Sequence, residues 1–158
     1  MKRFISKVFL AILQWSIWPS KTVRPRLAKL AGVDVDLEWS HIGENVIFDS
    51  MHPEKIHIAK CTAITMGCKI LTHYLDAKQK DISHYTTGDV YIGERCFLGA
   101  NTVICAPVTI GHDSITAAGA VITKDIPPYE VWGGVPARFL RKRDVYFQNE
   151  GKSSSDEK

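Results

Sequence analysis

The stretch VYIGERCFLGANTVICAPVTIGHDSITAAGAVITKD, residues 90–125, carries an inward-reading residue at every sixth position. Ile92, Leu98, Ile104, Ile110 and Ile122 keep the beat, and Thr116 fills the one position that is not aliphatic. Toward the N-terminus the same beat runs through Ile58, Ile64 and Ile70, and earlier through Ile42 and Phe48. Four residues after most beats stands a small or β-branched side chain: Val46, Thr62, Cys68, Cys96, Thr102, Val108, Ser114 and Ala120. One position earlier stand turn formers: Asn45, Gly67, Asn101, Pro107, Asp113, Gly119 and Asp125. A period of six does not fit a helix, but it is a multiple of the strand period, so each unit reads as a short strand and a corner. The beat residue fills the core, and Gly, Asn, Asp or Pro shapes the corner. Strands of a sandwich seldom keep so strict a period. The pattern therefore predicts a parallel β-solenoid.

At 158 residues the chain is long enough for one domain with its own core. Its net charge of +3 is too mild to argue for a nucleic-acid partner. The four cysteines, Cys61, Cys68, Cys96 and Cys105, show no metal-finger or CxxC spacing and read as buried thiols of a reducing, cytoplasmic compartment.

The N-terminal MKRFISKVFLAILQWSIW is basic and then apolar, but it lacks a small-x-small cleavage site and its apolar run is short for a membrane span. Phe4, Val8, Ala11 and Trp15 share one face at helical spacing, with Ile5, Phe9 and Ile12 beside it. Two readings stand: a helix packed on protein, or one lying on a membrane with Lys2, Arg3 and Lys7 near anionic lipid. The second allows peripheral contact through residues 1–18 at the inner face of the membrane. A short helix follows around Pro25 to Leu30, with Gly32 as its stop.

The segment from residue 90 to the VPARFLRKR tail resembles the hexapeptide-repeat O-acetyltransferases, in the branch of the maltose, galactoside and capsular-polysaccharide enzymes. The similarity covers roughly residues 24–143, with the repeats, a THYLD segment and the tail in order. The resemblance implies an all-β fold: a left-handed parallel β-helix shaped as a triangular prism. It also implies a homotrimer with active sites between prisms, acetyl-CoA as donor and no metal. On this reading residues 1–35 form a helical segment and 36–130 the β-helix, with an inserted loop at 73–90. Residues 131–147 form a C-terminal segment and 148–158 a disordered tail.

The loop interrupts the beat. From Ile70 to Ile92 is 22 residues, where one hexad takes six. THYLDAKQKDISHYTTGD has too few apolar residues for a core, and a long loop on a rigid scaffold is often functional. His73 stands at its root. The family's corresponding histidine is the catalytic base, and here Tyr74 replaces the usual proline after it. Histidine suits proton removal from a hydroxyl at cytoplasmic pH. The Gly99–Ala100 peptide is the candidate donor for the developing oxyanion.

The resemblance places the donor along Ala100, Ala118 and Gly119, whose small side chains let pantetheine approach the backbone. Thr123 and Lys124 fall where the family meets the far end of CoA. Arg138 and Arg141, three apart, face one way if helical, and Pro127 and Pro128 end the coil. For the acceptor, Asp49 could orient a sugar hydroxyl, and His84 could line its site. The N-terminal helices lean toward the capsular or exopolysaccharide branch, with a free sugar as the alternative acceptor. Two other classes remain. HPEKIH gives His52 and His57 the spacing of two zinc ligands in a γ-type carbonic anhydrase, but no third histidine stands near Trp15. A non-catalytic trimeric scaffold is the other.

Overall fold

A computed structural model describes residues 2–15, 21–75, 78 and 85–144. The hexads become very short strands that wind as a three-faced prism. The first coil comprises β1 (Asp34–Val35), β2 (His41–Ile42) and β3 (Ile47–Phe48), and the second β4 (Ile56–Ile58), β5 (Ala63–Ile64) and β6 (Lys69–Ile70). β7 (His73–Tyr74) and β8 (Thr86–Thr87) belong to the insertion. The third coil is β9 (Val90–Ile92), β10 (Phe97–Leu98) and β11 (Val103–Ile104), and the fourth β12 (Thr109–Ile110), β13 (Ile115–Thr116) and β14 (Val121–Ile122). β15 (Glu130–Gly134) and β16 (Ala137–Lys142) close the chain's described part.

Stacking equivalent strands gives three parallel faces. Face A runs β1-β4-β9-β12, face B runs β2-β5-β10-β13-β15, and face C runs β3-β6-β11-β14. The register keeps the beat aligned: Ile42 pairs with Ile64, Ile64 with Leu98, and Leu98 with Thr116. The core is this stack, with Ile64, Ile70, Leu98, Ile104 and Ile110 all 0% exposed. Thr116 breaks the aliphatic pattern at little cost, because its hydroxyl lies 2.9 Å from the Thr102 hydroxyl and 3.2 Å from the Gly99 N–H that donates to it. A buried hydroxyl left unpaired costs free energy; this one is satisfied.

The corners depend on left-handed backbone. Asn45, Gly67, Asn101, Asp113 and Gly119 have positive φ, as turn formers should, but so do Cys61 and Arg95, which no turn signal marks. Arg95 has a compensating partner. Its guanidinium donates to both Asp113 carboxylate oxygens at 2.8 and 2.7 Å, tying two successive corners together. At Gly99 the coils approach so closely that a Cβ would sit 2.6 Å from the Ala118 nitrogen.

Two helices cover the N-terminal end. α1 is Lys2–Trp15 and α2 is Val23–Leu30, with Pro25 in its first turn and Gly32 at φ +105° just beyond it. At the other end two expectations are corrected. Pro127–Pro128 do not end the coil: Ile126 bridges to Ile110, and β15 adds a further parallel strand beside β13. The prolines sit at a corner where Gly111 leaves room for Pro128. Nor is the VPARFLR tail helical. β16 folds back antiparallel on β15, pairing Arg138 with Gly133 and Arg141 with Val131 across a register shift, so the helical geometry expected for the two arginines is absent. Residues 148–158, expected to be a disordered tail, lie outside the described residues, as does His84.

Candidate active site

The insertion leaves the prism where face C turns toward face A. Its root is a two-stranded ladder in which His73 pairs with Thr87 and Tyr74 with Thr86, so the coil and the ladder together hold the His73 backbone. The Tyr85 ring meets the imidazole edge to face at 5.4 Å. The His73 side chain is 28% exposed, open enough for a second molecule to reach it.

Asp49, expected to orient an acceptor hydroxyl, is instead buried and turned toward His73; its side chain is 1% exposed. Its Oδ1 accepts from the Met51 N–H at 2.8 Å. Its Oδ2 accepts from the Thr72 N–H and hydroxyl, both at 2.8 Å, and from His73 Nδ1 at 2.5 Å. Burial works against the charge, but the Met51 and Thr72 amides and the His73 and Thr72 side chains outweigh it and hold the Asp49 carboxyl at about 2. An ionised carboxylate only accepts, so His73 Nδ1 carries the proton. In the neutral ring Nε2 then presents its lone pair away from Asp49. The arrangement is a carboxylate-oriented base. Sequence reading missed this role for Asp49, because the pair is 24 residues apart. One signal was available: both residues follow a face-C beat on successive coils.

The other candidate residues fall on two different edges. Thr123 and Lys124 leave face C at the same edge as His73, two coils on, with Cys105 between: Leu71 N–H bonds Ile104 O and Cys105 N–H bonds Ile122 O. Lys124 is exposed, with its ammonium 5.2 Å from the centre of the Trp132 ring. Ala100, Ala118 and Gly119 stack at the edge where face B turns into face C, joined by the Gly119 N–H to Ala100 O bond of 2.7 Å. Ala118 and Gly119 are exposed, and a Cβ on Gly119 would meet nothing within 4 Å. This edge is an open shelf of small side chains. Within one chain, face C separates it from His73, so the Gly99–Ala100 peptide and His73 are not brought together. Arg138 and Arg141 lie on β16 and are exposed.

The remaining chemistry-bearing residues have other partners. His57 Nδ1 lies 2.9 Å from Asp34, and its ring stacks on Tyr91 at 4.5 Å. His52 Nδ1 lies 3.0 Å from Glu54. Among the described residues no three His, Cys, Asp or Glu side chains gather as a metal site. All four cysteines are free; burial raises the Cys68 thiol and pushes Cys96 up to about 11. A groove of about 1040 Å³ runs over face A past Asp34, His57, Tyr91 and Arg95, and His73 is not among its lining residues.

Comparison with known proteins bears on the repeat and the fold. Residues 89–124 match the family model described as bacterial transferase hexapeptide, six repeats. The Bacillus subtilis (strain 168) protein YvoF, which carries a provisional acetyltransferase name, is 36% identical over 110 residues. That match covers 69% of this chain and 60% of YvoF. A Staphylococcus aureus (strain Mu50) protein with the same kind of name is 35% identical over 78 residues, 49% of this chain and 39% of its own length. The chain therefore spans less than two thirds of either relative. Among solved structures, a Vibrio cholerae hexapeptide-repeat acetyltransferase complexed with acetyl-CoA aligns with a TM-score of 0.67 at 22% identity, covering 91% of this chain and 88% of that one. A galactoside acetyltransferase in complex with CoA aligns with a TM-score of 0.67 at 23% identity, covering 97% and 88%. A maltose O-acetyltransferase from Clostridium difficile 630 aligns with a TM-score of 0.63 at 23% identity, covering 91% and 87%. At these identities the likeness is one of fold, and the hand of the coil follows from it. The chain is a left-handed parallel β-helix whose residues 89–124 carry the bacterial transferase hexapeptide repeat.

Proposed function

We propose that the chain is an acetyl-CoA-dependent O-acetyltransferase acting on a carbohydrate hydroxyl in capsular or exopolysaccharide synthesis, with His73 as general base. The observation that carries this reading is the Asp49–His73 pair at the root of a long insertion on an otherwise regular prism edge. Nε2 takes the proton as the acceptor oxygen attacks the thioester carbonyl. The tetrahedral intermediate then collapses, the carbon–sulfur bond breaks, and the imidazolium returns the proton to the CoA sulfur. Buried Asp49 stabilises the imidazolium without being protonated itself, as a carboxylate held at about 2 stays ionised.

The small-residue shelf suits a long, thin pantetheine arm, and the exposed cations Lys124, Arg138 and Arg141 suit the phosphates of CoA. Because His73 and the shelf lie on different edges, one complete site needs a second prism. Faces B and C favour such a partner. Their outward strand positions include Phe97 and Ile115 on B, and Ile47, Val103 and Val121 on C, whereas face A presents Asp34, His57, Tyr91 and Thr109. We read this as a homotrimer with shared sites. The apolar, basic segment at residues 1–18 suits a cytoplasmic enzyme working at the inner face of a membrane, where lipid-linked glycans are made.

The test is acetyl transfer from acetyl-CoA to a panel of free and lipid-linked glycans, read by mass. A product gaining one acetyl group, lost by roughly 10²–10⁴-fold in His73→Ala, is expected. No acetylated product from any glycan, or near-normal transfer by His73→Ala, would overturn the reading.

A further inference from the structure

Helix α1 is built the wrong way round for a helix of an isolated soluble domain. Leu10 is buried at 5% exposure in the core and Phe9 packs beside it, against α2 and the first coil. The opposite side is apolar as well. Phe4, Ile5, Val8 and Ile12 are 73%, 46%, 42% and 43% exposed, and at 100° per residue they fall within one arc, with Ala11 at its border. Lys7 flanks this arc and is exposed. Leu30 at the end of α2 and Trp39 in the first coil are exposed apolar side chains as well, at 63% and 79%.

Charge says what covers the stripe. Residues 1–33 hold seven Lys and Arg and no Asp or Glu, while the rest of the chain holds thirteen basic and seventeen acidic residues. The N-terminal helical segment is thus positive and the remainder of the chain negative, with Arg24 of that segment buried and paired with Glu44 of the first coil at 3.9 Å. Lys7, Lys21, Arg26 and Lys29 are exposed. A second copy of the same end would bring one cationic helical segment against another, with Lys7, Lys21, Arg26 and Lys29 exposed on each. An apolar stripe set among exposed cations instead complements a surface that is oily inside and anionic at its rim. The 14 residues of α1 reach only about 21 Å, short of the ~30 Å hydrocarbon core. Among the described residues no helix is long and apolar enough to cross a membrane.

We propose that α1 docks the protein on an anionic lipid surface, lying in the interface with Phe4, Ile5, Val8 and Ile12 inserted and Lys7, Lys21 and Arg26 over the headgroups. The docking rests on the exposed helix and its charge and not on the transfer reaction. If the prisms assemble in parallel as proposed above, three such helices share one end and bind together.

The experiment sediments the full chain, without acetyl-CoA, with vesicles of phosphatidylcholine alone or mixed with phosphatidylglycerol. At least tenfold tighter binding to the mixed vesicles is expected, weakened by added salt. Phe4→Glu with Val8→Glu should abolish it, and Lys21→Glu with Arg26→Glu should reduce it several-fold. All variants should keep wild-type size in light scattering and the wild-type circular dichroism spectrum. Three results would overturn the proposal: no binding to anionic vesicles, equal binding to neutral ones, or full binding by Phe4→Glu with Val8→Glu. A smaller assembly in that variant would also overturn it, by showing that another copy covers the stripe. Failure of the glycan assay leaves these results untouched.

Discussion

Asn at position 49 would keep the shape of Asp49 and remove its charge, which makes it a sharp test of the pair. Asp49 Oδ2 meets three donors, from the Thr72 amide, the Thr72 hydroxyl and His73 Nδ1, while Oδ1 meets only the Met51 amide. An Asn amide must place its NH2 group on one side or the other. Facing Thr72 and His73 it opposes fixed donors; facing Met51 it opposes one. The second orientation wins, keeping oxygen toward His73 but leaving the Met51 N–H without an acceptor. That unmet donor, with the lost carboxylate, costs on the order of 2 kcal/mol of stability, or roughly 4–8 °C in Tm for a domain of this size. The chain should still fold, since domains commonly have about 5–15 kcal/mol in hand. Catalysis loses the anion that faces the imidazolium. A charge-assisted hydrogen bond contributes about 1.5–3 kcal/mol, so kcat should fall about ten- to a hundredfold, less than on removing the base itself. KM for acetyl-CoA should hold, because Asp49 is buried away from the donor shelf. Kinetics with the best acceptor, run on Asp49→Asn, His73→Ala and the double variant, check the assignment. Groups acting as one unit are not additive, so the double variant should be no slower than His73→Ala. A full multiplicative loss in the double variant, or wild-type kcat in Asp49→Asn, refutes the positioning role.

Charge removal at Lys124, Arg138 and Arg141 should raise KM for acetyl-CoA more than it lowers kcat, and dephospho-CoA should lose less affinity than CoA; equal losses for both donors would show that these cations do not read the 3′-phosphate. Because Ala118 sits on the shelf edge and His73 on the other, co-refolded His73→Ala and Ala118→Trp chains, each inactive alone, should regain part of the activity in mixed assemblies; mixed assemblies that recover nothing place the whole site within one chain. The Asp49 and Asp113 carboxyls are both held at about 2, Asp113 chiefly by the Arg95 guanidinium, so the stability they contribute is full above the ordinary carboxylate range and lost as pH falls through their folded values. Tm should stay level from neutral pH to about 4 and drop between 4 and 2, and Asp49→Asn should flatten that drop. Ile104→Ala, emptying a fully buried position, should cost about 2–5 kcal/mol in denaturant unfolding, against a near-neutral result if the beat residues were not the core.

The solenoid was legible because its core repeats. Each beat residue faces the same environment, so a period of six in Ile92, Leu98, Ile104 and Ile110 suffices to place four strands on three faces. Even the irregular Thr116 falls on the beat, since a hydroxyl can be satisfied internally. The corners were legible only where a residue advertises them. Arg95 adopts left-handed backbone because Asp113 on the next coil holds it, and such a tertiary cause leaves no local trace. The prolines at 127–128 misled for the matching reason: they sit at a corner, where no ladder N–H is missed. His73 stood out as the point where the beat breaks. Asp49 could be picked out but not given its role, because which way a side chain turns from a corner is decided by its neighbours on the next coil.

The back-folded strand β16 has a consequence for how molecules meet one another. A parallel solenoid ends in rows of unpaired N–H and C=O groups, and a copy of the same coil is the best-matched surface for them. Stacked end to end, such prisms would grow into a fibre. β16 covers the last parallel strand of face B with a strand of opposite direction, which a copy of the first coil cannot extend in register. Arg138 and Arg141 are exposed on β16, so approaching basic ends also repel. Two of the cations assigned to the donor's phosphates, Arg138 and Arg141, thus help keep the solenoid finite, and variants that neutralise them for kinetic study should be watched for light scattering before any rate is believed.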